Sequence, residues 1–181
     1  LICGMMFAYS LAIHDGNVFT YEPASSSAQA GRPGPRKIVD VFTVHPEAAG
    51  AIEGLWERYA ADLEELLRLM RAGERQEARV SLVKQVGQTL RQGKAGSLHL
   101  YPVDIEIDNL ASPQYSLLRI SATDTIGFLY ELTNALALNR IYIARVAIDT
   151  VGQRIQDTVY VTDFDGQKIT APDRQRQLRV A

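Results

Sequence analysis

Two stretches of this chain carry the same pattern, and the duplication limits its fold more than any other feature. The clearer copy starts at Asp124-Thr-Ile-Gly-Phe-Leu129. It continues through an amphipathic helix and two β-rich runs to Asp163-Phe164-Asp165-Gly166. Placing Leu11 on Ile141 aligns the earlier copy at a constant offset of 130, so that Ile13 meets Ile143, Val18 meets Ile148 and Thr20 meets Thr150. The offset then becomes 117, and Lys37-Ile-Val-Asp40-Val-Phe-Thr-Val44 falls on Arg154-Ile-Gln-Asp157-Thr-Val-Tyr-Val161. The 13-residue difference lies within Pro23 to Arg36, a Ser/Gly/Pro/Ala stretch with almost nothing to bury, which is expected to be loop. Tandem copies of one small α/β unit imply paired modules, and paired modules place a site between them.

The rest of the chain reads as elements around these copies. Residues 1–10 are apolar nearly all round and fit the end of a buried helix. Leu11 to Tyr21 is an expected strand with a turn or bulge at Asp15-Gly16, and Lys37 to Val44 its partner. From Glu47 the period changes: Ile52, Leu55, Trp56, Tyr59, Leu63, Leu66, Leu67 and Met70 form one apolar stripe at helical spacing. Ala72-Gly73 is a stop signal, after which Leu82, Val83, Val86 and Leu90 resume the stripe, as a second helix or the continuation of a bent one. This helical length fits a spacer or packing arm between modules, with a dimer seam as the alternative. Lys94 to Tyr101 reads as a linker. The later copy then reads β-β-α-β-β-α: strands at 103–108 and 115–122, a helix at 125–139, strands at 141–151 and 154–163, and a helix from Pro172. The expected division is a first module at 1–46, a helical connector at 47–93 and a second module at 94–181. The fold class is α+β, with antiparallel sheet and helices on one face.

Composition narrows the function classes. Hydrophobic residues are 46% of the 181, enough for real cores, and the formal net charge is −2. That charge gives no reason to expect a nucleic acid or an anionic membrane as partner, and no basic aromatic strand motif is present. The single cysteine, Cys3, cannot form an internal disulfide and fits a reducing cytoplasm. His14, His45 and His99 are scattered without metal or triad spacing, and Asp163-Phe-Asp165-Gly166 lacks the Glu that a calcium loop needs. No catalytic residue, metal or cofactor is expected, and no apolar run approaches the roughly 20 residues that span a bilayer. With no initiator Met, and with the equivalents of Tyr115–Tyr130 falling before residue 1, the expectation is a piece of a longer polypeptide.

Asp124-Thr-Ile-Gly-Phe-Leu129 at a strand-to-helix turn makes the later copy resemble an ACT domain, the small ferredoxin-like regulatory fold that binds amino acids. Three runs resemble the C-terminal repeats of bacterial PII-protein uridylyltransferases: Asp108-Asn-Leu-Ala-Ser112, Gly152-Gln-Arg-Ile-Gln-Asp157-Thr-Val-Tyr-Val-Thr-Asp163 and Gly166-Gln-Lys-Ile-Thr170. The likeness covers about 103–181 clearly and 1–46 more weakly. It implies tandem ferredoxin-like ACT modules that sense a small amino acid, with glutamine favoured. The implied partners are attached catalytic domains and a second ACT module in cis or in a homodimer. Family loops commonly read Asp-Arg-Pro-Gly-Leu-Leu; this chain keeps Asp124 and Gly127 and has Thr125, Ile126 and Phe128 at the other places.

The expected ligand site is Asp124, Thr125, Ile126, Gly127, Phe128 and Leu129, with Arg145 from the bordering strand. First-turn N–H groups lack intrahelical partners, and a ligand α-carboxylate can accept from them and gain from the helix dipole. The Asp124 carboxylate can hold an α-ammonium group, or it can simply cap the helix. Arg145 is either a second charge at the site or a solvated surface residue. Asp40 and Asp157 recur at one strand position in both copies, which is better explained by a shared fold requirement than by a catalytic pair. The alternative function is a module without ligand that serves dimerisation.

Overall fold

A computed structural model describes residues 1–21, 37–46, 53–91, 103–123, 125, 127–151 and 154–180. The expected loop at Pro23–Arg36, the linker at Lys94–Tyr101, Ile52, His99, Asp124 and Ile126 lie outside the described residues. The elements are α1 (Ile2–Ala8), β1 (Leu11–Tyr21), β2 (Lys37–Pro46), α2 (Leu55–Ala72), α3 (Arg75–Arg91), β3 (Asp104–Asp108), β4 (Ser116–Thr123), α4 (Phe128–Leu138), β5 (Ile141–Val151), β6 (Arg154–Asp163) and α5 (Pro172–Val180). The α+β class and the β-β-α-β-β-α order of the later copy are both present. Two compact units result: a helical unit of Leu1–Ile13, Val44–Leu100 and Thr125–Thr133, and a sheet unit of His14–Thr43, Tyr101–Asp124 and Asn134–Ala181.

In the helical unit, α1, α2 and α3 share a core of Met5, Phe7, Leu66, Leu69, Ala78, Leu82 and Val86. The helical period is therefore real, but the buried seam is narrower than the apolar stripe. Trp56, Leu67, Met70, Val83 and Leu90 are exposed, whereas Leu69 and Ala78, outside the stripe, are buried. Only the positions turned toward the other two helices of this three-helix core are covered. The helical run breaks into two because Gly73 takes a left-handed φ of +85° and closes α2 with N–H bonds from Gly73 to Met70 and from Glu74 to Leu69. Polar ties fix α1 against the pair. The Thr89 hydroxyl donates to the Ala8 carbonyl at 2.7 Å, and the Tyr9 hydroxyl and the Gln85 amide both donate to Asp62 Oδ2, at 2.8 and 3.2 Å.

Among the described residues the sheet has six strands, in the order β2-β1-β5-β6-β4-β3. The pairs β1–β5, β5–β6, β6–β4 and β4–β3 are antiparallel. One face is covered: Leu118, Ile120, Ala122, Val146, Ile148, Ile155, Val159 and Val161 are all buried, while Arg119, Arg145 and Asp149 on the other face are exposed. Asp15-Gly16 makes no turn; β1 runs unbroken through it and pairs Gly16 with Ile148. Glycine serves close approach there, since a Cβ at residue 16 would sit 2.4 Å from the Phe42 ring. The irregularity in the sheet falls instead in β5, between Ile143 and Arg145.

The register of β1 on β5 has a symmetry of its own. Asn17 pairs with Ala147, the two residues that the repeat alignment equates. On either side Asp15 pairs with Asp149 and Phe19 with Arg145, so a local two-fold axis passes between the equivalent strands. The two copies thus join edge to edge within one chain.

At the far side of the sheet, two of the motifs quoted above meet in one hydrogen-bond network. Asp108 Oδ1 accepts from the Leu110 and Ala111 N–H groups, and Arg119 reaches Asp108 Oδ2 at 2.9 Å. The two backbone donors first, and the guanidinium after them, hold the Asp108 carboxyl below the usual carboxylate range. The Ser116 hydroxyl, fully buried, donates to Asn109 Oδ1 and accepts the Ile169 N–H at 2.8 Å, and Asn109 Nδ2 donates to the Ile169 carbonyl at 3.1 Å. The β3–β4 connection is thereby fastened to the segment after β6.

Two outcomes follow from these contacts. Ser116→Ala strands the Ile169 donor and an Asn109 acceptor, and is expected to cost about 1–3 kcal/mol, read from urea unfolding against the wild-type chain. The Tyr9 phenol is pushed up to about 12, by burial first and by its bond to Asp62 second. The folded chain therefore holds this proton more tightly than the unfolded one. The contribution is intact below about pH 10 and is lost as pH rises through about 12. The stability difference between wild type and Tyr9→Phe should accordingly shrink between about pH 10 and about pH 12; a constant difference would contradict this assignment.

Candidate functional site

A glycine turn precedes α4, and one of its first-turn N–H groups already has a backbone partner. Gly127 sits at φ +84°, the Phe128 N–H donates to the Thr125 carbonyl at 3.0 Å, and the Glu131 N–H donates to the Gly127 carbonyl at 2.9 Å. Thr125, Gly127, Phe128 and Leu129 are all partly exposed, and they stand together in the helical unit. The close approach that Gly127 allows is taken by the chain itself. A Cβ there would lie 2.9 Å from the ring of Phe7, which also stacks on Tyr130 at 6.0 Å. No periodicity in the sequence ties Phe7 to this turn, because the contact joins α1 to residues about 120 positions later.

Arg145 lies in the sheet unit. Its guanidinium sits over the rings of Phe19 at 5.0 Å and Tyr160 at 5.6 Å, and Tyr160 meets Tyr115 edge-on at 6.3 Å. Pairing produces this row directly, since Phe19, Arg145, Tyr160 and Leu117 are successive cross-strand partners on the face opposite Val146, Val159 and Leu118. Arg145 is thus held by two aromatic faces rather than simply solvated.

Asp157 is 2% exposed and stands opposite Ile120, on the covered face. Its Oδ1 accepts from the Asp149 N–H at 3.3 Å, a contact that braces β5 on β6. Its counterpart Asp40 is half-buried, and burial pushes its carboxyl above the ordinary value. These placements agree with the structural reading of the recurring pair. Among the described residues no three of His, Cys, Asp and Glu gather as metal ligands, and no helix is long and apolar enough to cross a membrane.

Sequence reasoning missed one feature. A groove of about 700 Å³ opens in the sheet unit, lined by Thr20, Tyr115, Tyr142, Thr162, Gln167 and Lys168 among others. Its walls come from β1, β5 and β6, the residues just before β4 and the segment after β6, so no local motif announces it. The only signal was Gly166-Gln-Lys-Ile-Thr170, read as a family likeness without a role for its lysine.

Comparison with known proteins adds the following. A family model described as an ACR9-like, ACT-like domain matches residues 104–181. The bifunctional uridylyltransferase/uridylyl-removing enzyme of Rhodopseudomonas palustris is 32% identical over 166 residues, covering 87% of this chain and 17% of that protein. The enzyme of the same description from Bradyrhizobium sp. strain ORS 278 is 31% identical over 164 residues, with the same coverage. That from Cereibacter sphaeroides is 40% identical over 78 residues, 43% of this chain and 8% of the protein. The chain spans about a sixth of the length of the first two relatives, at 17%. No solved structure matches.

Gly127→Ala should destabilise the helical unit by about 1–3 kcal/mol, from the left-handed φ and the displaced Phe7 ring together. Chemical unfolding followed by the fluorescence of Trp56, the single tryptophan, checks it. Phe7→Leu in that background should recover the steric part; strict additivity would show that the ring does not press on residue 127.

Proposed function

With residues 104–181 an ACT-like domain, in a chain similar over most of its length to uridylyltransferase/uridylyl-removing enzymes, we propose that this chain is the regulatory, amino-acid-sensing region of a larger nucleotidyltransferase of nitrogen control, working in the cytoplasm. The observation that carries the proposal is the symmetric β1–β5 pairing, which joins equivalent strands of two copies into one sheet. Paired modules of this kind have two arrangements available, and a ligand that binds one better shifts the balance passed to attached catalytic domains. A coupling of about 1–3 kcal/mol is enough for a useful switch.

The proposed ligand is a small amino acid, with glutamine favoured, held at Asp124–Leu129. Its α-carboxylate accepts from first-turn N–H groups of α4 beyond that of Phe128, which Thr125 already holds, and the Asp124 carboxylate takes the α-ammonium group. Phe7, already against Gly127, forms the apolar wall on which the ligand's methylenes rest. In this reading Arg145 serves as a fixed cation of the sheet face.

The same Phe7 ring favours a second reading. A turn filled by the chain's own side chain is also what a module without ligand would have, and its role would then be to hold subunits or domains together. Calorimetry and thermal melting of the 181-residue chain with L-glutamine and a panel of other amino acids separate the two. Sensing predicts saturable heat and a raised melting temperature with at least one amino acid, weakened at least about tenfold by Asp124→Ala. Silence across the panel would reject sensing and leave the structural reading.

A further inference from the structure

Among the described residues Lys168 is a cation without a counter-ion. Its side chain is half-buried, and Nζ donates to the carbonyl oxygens of Asn109, at 2.9 Å, and of Ser112. Carbonyl oxygens supply lone pairs but no net charge to offset that of an ammonium group. Among the described residues no carboxylate lies within ion-pair distance of it, although Arg68, Arg119 and Arg176 all have such partners. A partly desolvated charge with no opposite charge beside it is costly, and an anion arriving from solvent relieves that cost.

The position of the ammonium is also fixed in advance. Both of its acceptors belong to the connection that Ser116 and Asn109 fasten to Ile169, the residue next to Lys168. Holding a long lysine side chain in one place before a ligand arrives removes much of the ordering entropy that binding would otherwise cost. Lys168 lies on the wall of the groove of about 700 Å³, a volume suited to a small organic molecule. The other walls carry neutral hydrogen-bonding groups: the hydroxyls of Thr20, Tyr115, Tyr142 and Thr162 and the amide of Gln167. Among the described residues no Asp or Glu lines the groove. Two tyrosine rings add flat surface beside the cation.

From this arrangement we propose that the groove is a binding site for a small organic anion, with its oxyanion head on Lys168 and its body along Tyr115 and Tyr142. The site belongs to the sheet unit and shares no residue with the turn at Gly127. It therefore stands whether or not that turn binds an amino acid.

The test is a ¹H–¹⁵N amide titration of the 181-residue chain with inorganic phosphate, acetate and phenyl phosphate, each against sodium chloride at matched ionic strength. The expected result is saturable shifts at Tyr115, Gln167 and Lys168, tighter for phenyl phosphate than for phosphate because the ring adds contact with the tyrosines. Lys168→Met, which keeps the stem and removes the charge, should weaken binding at least about tenfold. Gln167→Glu places a carboxylate at the exposed rim without touching the bonds to Asn109 and Ser112, and should weaken it about three- to fivefold. Should Lys168→Met fail to fold, Gln167→Glu decides alone. Shifts that stay linear with all three probes, or that are equal in folded Lys168→Met, or that ignore Gln167→Glu, would overturn the proposal.

Discussion

Backbone hydrogen bonds between β1 and β5 join two sheet edges that would otherwise each present a row of unpaired N–H and C=O groups to solvent. Because the strands are equivalent members of a repeat, the contact is self-complementary, as at the interface of a symmetric dimer. The difference is that both partners belong to one chain, so association costs loop closure instead of the translational freedom of two molecules. Other features follow from this register. It brings Phe19 beside Arg145, and with Tyr160 next in the row the guanidinium lies between two rings. It also sets Gly16 opposite Ile148, in a stretch where the Phe42 ring needs the space of the missing side chain.

The two units are held by different chemistry. The helical unit relies on a narrow apolar seam, with a few side-chain bonds fixing the short α1 against longer helices. Near β3, by contrast, the sheet unit relies on a nearly closed polar network built from Asp108, Asn109, Ser112, Ser116 and Lys168. Networks of this type hold position well because losing one member leaves a buried group unpaired. A firm mounting is also what a binding residue needs, and in Lys168 the mounting and the charge belong to one side chain.

The two places proposed for small polar ligands differ in what surrounds them. At the turn before α4 the Phe7 ring is already lodged against Gly127. In the groove the offer is one ammonium group and several hydroxyls, suited to an anion.

How much of this was legible beforehand depends on the range of the interaction. Period and turn chemistry are local, so the strands, the stop at Gly73, the turn at Gly127 and the duplication could be read from residue order alone. Backbone geometry restricts a few neighbours at a time, and these signals extend over a few neighbours. The width of the buried seam was overestimated, because Trp56, Leu67 and Met70 share the helical spacing of the core without facing it. Phe7 against Gly127, Arg145 between Phe19 and Tyr160, and Lys168 on the carbonyls of Asn109 and Ser112 were not legible at all. Each joins residues dozens to more than a hundred positions apart, and only strand register and helix packing bring them together. The sequence by itself determined which elements form and that they recur; the tertiary structure decided which side chains meet, because packing and hydrogen-bond satisfaction are settled in space and not along the chain.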